Sequence, residues 1–177
     1  MLSCWLRGYL EPFWTKEDIL SLSFITDTPH KKHTALFDEW ASLGYYPDIF
    51  HLSPQCHFSS ELRTDTTNKI IDWFSSEFSV KNVGCTYHKM NTDTVLPNHS
   101  DHYNTYTKLF NCDANSIKRA IVFPFNWESG HYFEINETPI VNWKAGDFIL
   151  WKGTTPHLAA NLGVSDRYTI QLTGQGK

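Results

Sequence analysis

Arg167-Tyr168-Thr169-Ile170-Gln171-Leu172-Thr173 alternates strictly, with Arg, Thr, Gln and Thr at the odd positions and Tyr, Ile and Leu between them. Successive side chains of a strand point to opposite faces, so this run reads as a strand with one polar and one apolar face. Two arrangements fit it. Either the polar face meets bulk water, or it lines a wet interior while the apolar face packs beneath helices. The run closes a series. From Lys81 onward the apolar period is 2, and β-like segments recur about every ten residues. They are Val83–Met90, Val95–Asp101, Tyr106–Phe110, Lys118–Phe125, His131–Ile135, Ile140–Trp143, Asp147–Trp151, His157–Ala160 and Arg167–Thr173. Turn-forming residues separate them at 96–98, 128–130, 145–147 and 161–163. Many short strands at that spacing predict a mainly β sandwich or barrel.

Residues 1–80 read differently. Met1–Leu10 is apolar but has no basic lead and is interrupted by Arg7, which suits an early strand better than a signal peptide. Thr15–Leu22 predicts a short helix with Thr15 as its cap. His33–Leu43 predicts another, with Leu36, Trp40 and Leu43 on one face. Thr66–Phe78 is the strongest helical pattern, carrying Ile70, Ile71, Phe74 and Phe78 on one side. No linker or repeat divides the 177 residues, so one domain is expected: a supporting region over 1–80 and a β core over 81–177.

Composition narrows the function. Leu, Ile, Val and Phe make up about a quarter of the chain, enough for a packed core. The net charge of −4 argues against a nucleic-acid partner, since sequence-independent binding needs a cationic surface. No apolar run reaches membrane-spanning length. Cys4, Cys56, Cys85 and Cys112 show no paired spacing, which fits free thiols and a cytoplasmic location.

The chemistry-bearing residues lie in the β half. His99-Ser100-Asp101 follows a Leu-Pro turn, and residues two apart on a strand share a face. Nine histidines and eleven aspartates give about 0.6 such pairs by chance, so order carries the signal rather than the pair itself. His157 follows Asp101 by 56 residues, about five strands later, and Arg167 follows His157 by ten. Two histidines and one carboxylate form the facial triad of non-haem Fe(II) sites, which leaves adjacent positions open.

These residues resemble the Fe(II)/2-oxoglutarate-dependent dioxygenases, whose signature is HxD, a distal His and an Arg about ten residues later. The resemblance covers roughly residues 80–175. It implies a double-stranded β-helix, the jelly-roll or cupin-like barrel, with N-terminal packing helices. It also implies that His99, Asp101 and His157 hold Fe(II), and that Arg167 anchors the far carboxylate of 2-oxoglutarate through a bidentate fork suited to the task. Arg167-Tyr168-Thr169 resembles the family's Arg-x-Ser/Thr, so Thr169 is expected beside the same carboxylate, with both residues facing inward. Tyr87 and Lys89 share a strand face and could reach the cosubstrate carboxylate; Tyr87 is a candidate cosubstrate contact, with a packed core tyrosine as the other reading. His157-x-Ala159-x-Asn161 is similar to the aspartyl/asparaginyl β-hydroxylase branch, and Leu96-Pro97-x-His99-x-Asp101 to the prolyl 4-hydroxylase branch. The implied activity consumes 2-oxoglutarate and O2, gives succinate, and hydroxylates a small molecule or a peptide side chain. Tyr103, His131, Arg119, Lys108 and Trp127 are further candidates for lining the pocket or its mouth.

Two alternatives stand beside this reading. A zinc metallohydrolase of the HxHxDH type would need His where Pro97 stands, and a βαβ alternation that the pattern lacks. A non-catalytic cupin-like binding barrel would have no use for Asp101 and Arg167 together. Oligomeric state is not legible in the sequence.

Overall fold

In a computed structural model of the chain, residues 5–25, 34–45, 55–57 and 63–176 are described. They contain β1 (Trp5–Tyr9), α1 (Lys16–Leu20), α2 (Thr34–Ser42), β2 (Gln55–His57), α3 (Asp65–Glu77), β3 (Val80–Met90) and β4 (Thr94–His99). Then follow α4 (Asn104–Phe110), β5 (Ile117–Val122), β6 (His131–Ile135), β7 (Thr138–Ile140), β8 (Asp147–Lys152), β9 (His157–Asn161) and β10 (Arg167–Gly176).

Two antiparallel sheets result, a six-stranded one ordered β1-β8-β5-β10-β3-β2 and a four-stranded one ordered β4-β9-β6-β7. Early strands pair with late ones, β3 with β10 and β4 with β9, so the chain winds back and forth between the sheets. This is a double-stranded β-helix.

The alternation in β10 resolves the choice left by the sequence. Ile170 and Leu172 join one apolar cluster with Ile70 and Phe74 of α3, and with Ala120, Val122, Phe148 and Leu150 of β5 and β8. Arg167 and Thr169 are buried on the opposite face. The intervening residues Ile121, Ile149 and Trp151 join Phe133, Ile135 and Ala159 of the second sheet in a separate cluster. The large sheet therefore carries helices on one face and the barrel interior on the other. The polar side of β10 looks inward.

Local rules account for the helices. Thr15 caps α1 in a reciprocal capping box with Asp18. Thr64 caps α3 by accepting the Thr67 amide at 3.1 Å. α3 buries Ile70 and Phe74 completely, and each such side chain is worth about 1.5–3 kcal/mol removed from water.

Three expectations need correction. Tyr106–Phe110 is part of helix α4 rather than a strand. Positions 106 and 110 fall together under period 2 and also one helical turn apart, and here the two rings pack tilted against each other with centroids 4.7 Å apart. Left-handed residues at both ends, Tyr103 and Asn111, confine the helix. In α2, Trp40 is buried but Leu43 is exposed, because the helix ends at Ser42; the side chain of Leu36 lies outside those described. The segment Ile140–Trp143 pairs only at its start, within β7.

Cys56, Cys85 and Cys112 are free thiols, and Cys4 lies outside the described residues. Among the described residues no helix is long and apolar enough to cross a membrane.

Candidate metal centre

His99 and His157 are Cα partners across β4 and β9. That register brings their rings to 4.4 Å between centroids. Asp101 was expected on the same strand face as His99, but β4 ends at His99 and Asp101 lies in the loop that follows. Its carboxylate nonetheless completes the cluster. Oδ1 is 3.8 Å from His99 Nε2, and Oδ2 is 4.0 Å from His157 Nε2. One ligand atom from each of the three residues lies within 4.8 Å of the others.

Tertiary contacts hold Asp101 where strand geometry does not. Tyr103 donates its hydroxyl to Oδ2 at 2.9 Å, and Arg119 Nε lies 3.3 Å from the same oxygen. Burial works to raise the Asp101 pKa. The Arg119 guanidinium, the two imidazoles and the Tyr103 hydroxyl outweigh it and hold the group down at about 2.

The histidines are prepared as neutral ligands. His99 Nδ1–H donates to the Pro97 carbonyl at 2.7 Å, and His157 Nδ1–H donates to the Thr155 carbonyl at 3.0 Å. Such bonds fix the tautomer and leave the Nε2 lone pair to the centre. Burial lowers both imidazole pKa values, that of His157 to about 4, where the neighbouring His99 adds to the effect. Trp40 of α2 stands edge-on to His99, and Trp151 packs against His157 at 5.3 Å. Two neutral imidazoles and one ionised carboxylate on one side are the donor set that a divalent first-row metal such as Fe(II) takes. The chain's own residues fit the ion.

Arg167 and Thr169 face the barrel interior and are both buried. The Arg167 guanidinium lies beside the stacked rings of Phe123 and Trp143, 5.9 and 5.5 Å from their centroids. Its Nη1 approaches Met90 Sδ at 3.9 Å, while Nε and Nη2 make no hydrogen bond. Burial lowers its pKa to about 10, which leaves it cationic at neutral pH.

Tyr87 is not part of this group. It pairs with Ile170 on the helix-covered face of the large sheet, and its hydroxyl meets Thr67 of α3 at 2.9 Å. Arg167, opposite Met90, takes the other face. Parity along β3 and β10 therefore separates the two side chains, and Tyr87 is a core residue beneath α3. Lys89 shares the Tyr87 face and pairs with Asp166 at 2.9 Å.

Of the remaining candidates, Arg119 and Tyr103 reach the triad. His131 stacks on Trp143 beside Arg167, and Trp127 donates to the His131 carbonyl. Lys108 and His102 are exposed. His30, His33 and His51 lie outside the described residues. Trp40 and Trp151 were not anticipated; for Trp151 the inward parity shared with Ile149 on β8 was a usable signal.

No family model matches the sequence, and no curated protein matches it. Solved structures do. A Pseudomonas putida prolyl-4-hydroxylase superposes with a TM-score of 0.58 at 10% identity, covering 98% of this chain and 93% of that one. The non-heme alpha ketoglutarate dependent carbocyclase SnoK from nogalamycin biosynthesis gives 0.60 at 8% identity, covering 98% and 79%. The corresponding epimerase SnoN gives 0.52 at 9% identity, covering 86% and 76%. At such identities the likeness is one of fold: this chain is a double-stranded β-helix of the kind those enzymes share.

Proposed function

We propose that this protein is an Fe(II)/2-oxoglutarate-dependent oxygenase that hydroxylates a small molecule or a peptide side chain. One observation carries the reading. The same barrel holds a His-Asp-His cluster and a buried guanidinium with two unpartnered donors. A metallohydrolase or a binding barrel would account for the first but not for the cost of the second.

When bound, the metal supplies O2 activation coupled to decarboxylation of 2-oxoglutarate, and with it the oxidation of a substrate C–H bond. The residues do the rest. His99 and His157 each offer Nε2 without first losing a proton, because their Nδ1–H bonds are held by carbonyls. Asp101 brings the single anionic ligand, already ionised. Arg167 binds the far carboxylate of the cosubstrate through Nε and Nη2, and the Thr169 hydroxyl, two residues along the same face, adds a donor. Trp151 and Phe133 pack against His157 and keep bulk water from that side.

Anaerobic protein given Fe(II) and 2-oxoglutarate together is expected to develop a weak visible charge-transfer band, and His99→Ala to abolish it. A wild-type protein without the band, or a His99→Ala variant that keeps it, would overturn the assignment.

A further inference from the structure

One unpartnered donor and one incompletely used guanidinium stand beside the triad once the metal ligands and the cosubstrate anchor are assigned. Trp151 Nε1 is buried and makes no hydrogen bond; Arg119 Nε makes only its 3.3 Å ion pair with Asp101. A buried indole N–H ordinarily finds an acceptor, and an orphaned one calls for a specific explanation.

The two side chains are neighbours. Arg119 and Trp151 are Cα partners across β5 and β8, and direct cross-strand pairs stand within about 5.5 Å at Cβ. Each also touches the triad, Trp151 at His157 and Arg119 at Asp101. Arg119 is held in place by Thr173 Oγ1, which accepts from Nη1 at 2.7 Å, and by Gln171 Oε1, which accepts from Nη2. Those two bonds and the Nε–H facing Asp101 use three of its five N–H groups, leaving two for a ligand. The row of partners continues from Arg119 to Thr173 on β10 and Gly84 on β3. Gly84 is exposed, and a Cβ there would meet nothing within 4 Å, so the row ends in open space that a substrate can enter.

Charge points to the kind of ligand. On the oxygenase reading, on which this inference rests, the divalent metal and the dianionic 2-oxo acid cancel. Arg119 and Arg167 against Asp101 then leave one positive charge in a largely buried site. A substrate bearing one carboxylate neutralises it, supplies the acceptor oxygen that Trp151 lacks and takes the remaining Nη hydrogens of Arg119.

We propose that Arg119 and Trp151 form a carboxylate-recognition site for the primary substrate, which fixes an acid group of that substrate beside the metal triad. The two carboxylates of the cosubstrate are already placed, one at the metal and one on Arg167, so the site selects a third.

The test follows the Trp151 indole N–H resonance in 15N-labelled protein, assigned by its loss in Trp151→Phe. Propionate and its neutral counterpart propionamide are titrated into protein saturated with Zn(II) and 2-oxoglutarate, and into protein with neither. Propionate is expected to move the resonance saturably in both states and propionamide to leave it in place. Arg119→Met is expected to abolish the response, while Arg119→Lys, which keeps the charge beside Asp101, retains a weakened one. No movement, equal movement with the amide, or an unchanged response in Arg119→Met would overturn the proposal. So would a response removed by Arg167→Met but not by Arg119→Met. A missing response alongside an intact Fe(II)/2-oxoglutarate band sinks this site alone. A propionate response without the band sinks the oxygenase reading instead.

Discussion

Arg167 is buried against Met90, Phe123 and Trp143, and among the described residues no carboxylate pairs with it, an arrangement that costs stability. Ring faces recover part of that cost. Replacing it with a methionine of similar reach should therefore stabilise the ligand-free protein by about 1–3 kcal/mol, while 2-oxoglutarate binding is lost and metal binding is kept. Thermal denaturation and calorimetric titration of Arg167→Met check both halves, and a destabilised variant would count against the unpaired-charge account. His157 makes a pH prediction. Its folded pKa is lowered from 6.5 to about 4, first by burial and then by His99. Between those values the unfolded chain binds more protons than the folded one, so stability falls as pH drops. The loss starts near pH 6.5 and amounts to about 2 kcal/mol at pH 5 in metal-free protein. His99 shifts in the same direction. Chelator-treated protein melted at pH 7.5, 6 and 5 should show this decline, and His157→Phe should flatten it.

At the scale of elements, α3 and β3 are joined by a polar chain through an otherwise apolar layer. Thr64 accepts from the Thr67 amide, the two threonine hydroxyls meet at 2.9 Å, and Thr67 Oγ1 meets the Tyr87 hydroxyl at 2.9 Å. Thr64→Ala and Tyr87→Phe should each cost about 1 kcal/mol. Together they should cost measurably less or more than the sum, because they share Thr67. Denaturant unfolding of both single variants and the double variant measures this. Tyr87→Phe should leave 2-oxoglutarate affinity unchanged, which distinguishes a core tyrosine from a cosubstrate contact. The elements also show how much was legible beforehand. Strands with clean alternation, such as His131–Ile135 and Asp147–Trp151, lie close to their expected positions. Tyr106–Phe110 does not, because two aromatics four apart satisfy either period, and the left-handed turns that choose the helix leave no mark in the pattern.

For the whole molecule, metal binding and folding are linked. The proposed ligands come from β4, the loop after it and β9, segments far apart in sequence that the fold alone assembles. A metal that binds only the folded chain, at about 100 times its dissociation constant, adds about 2.7 kcal/mol. For a chain of this size that is on the order of 5–10 °C in melting temperature. Mn(II) added to chelated protein should produce a shift of this order in the wild type and none in His99→Ala.

The sequence by itself determined the strand-rich C-terminal half, the main helix, expected over Thr66–Phe78 and found at Asp65–Glu77, and the order of His99, Asp101, His157 and Arg167 along the chain. These depend on periodicity and local chemistry, which a linear string carries. Only the tertiary structure decided which way the polar face of β10 looks, since alternation defines two faces but not which is inside. It also decided that Tyr87 lies beneath α3 and that Asp101 is held from a loop by Tyr103 and Arg119. The tertiary fold likewise sets Arg119 and Trp151 side by side next to the triad. Those are matters of register between strands and of packing across sheets, where residues 32 positions apart become neighbours through pairings no local pattern encodes.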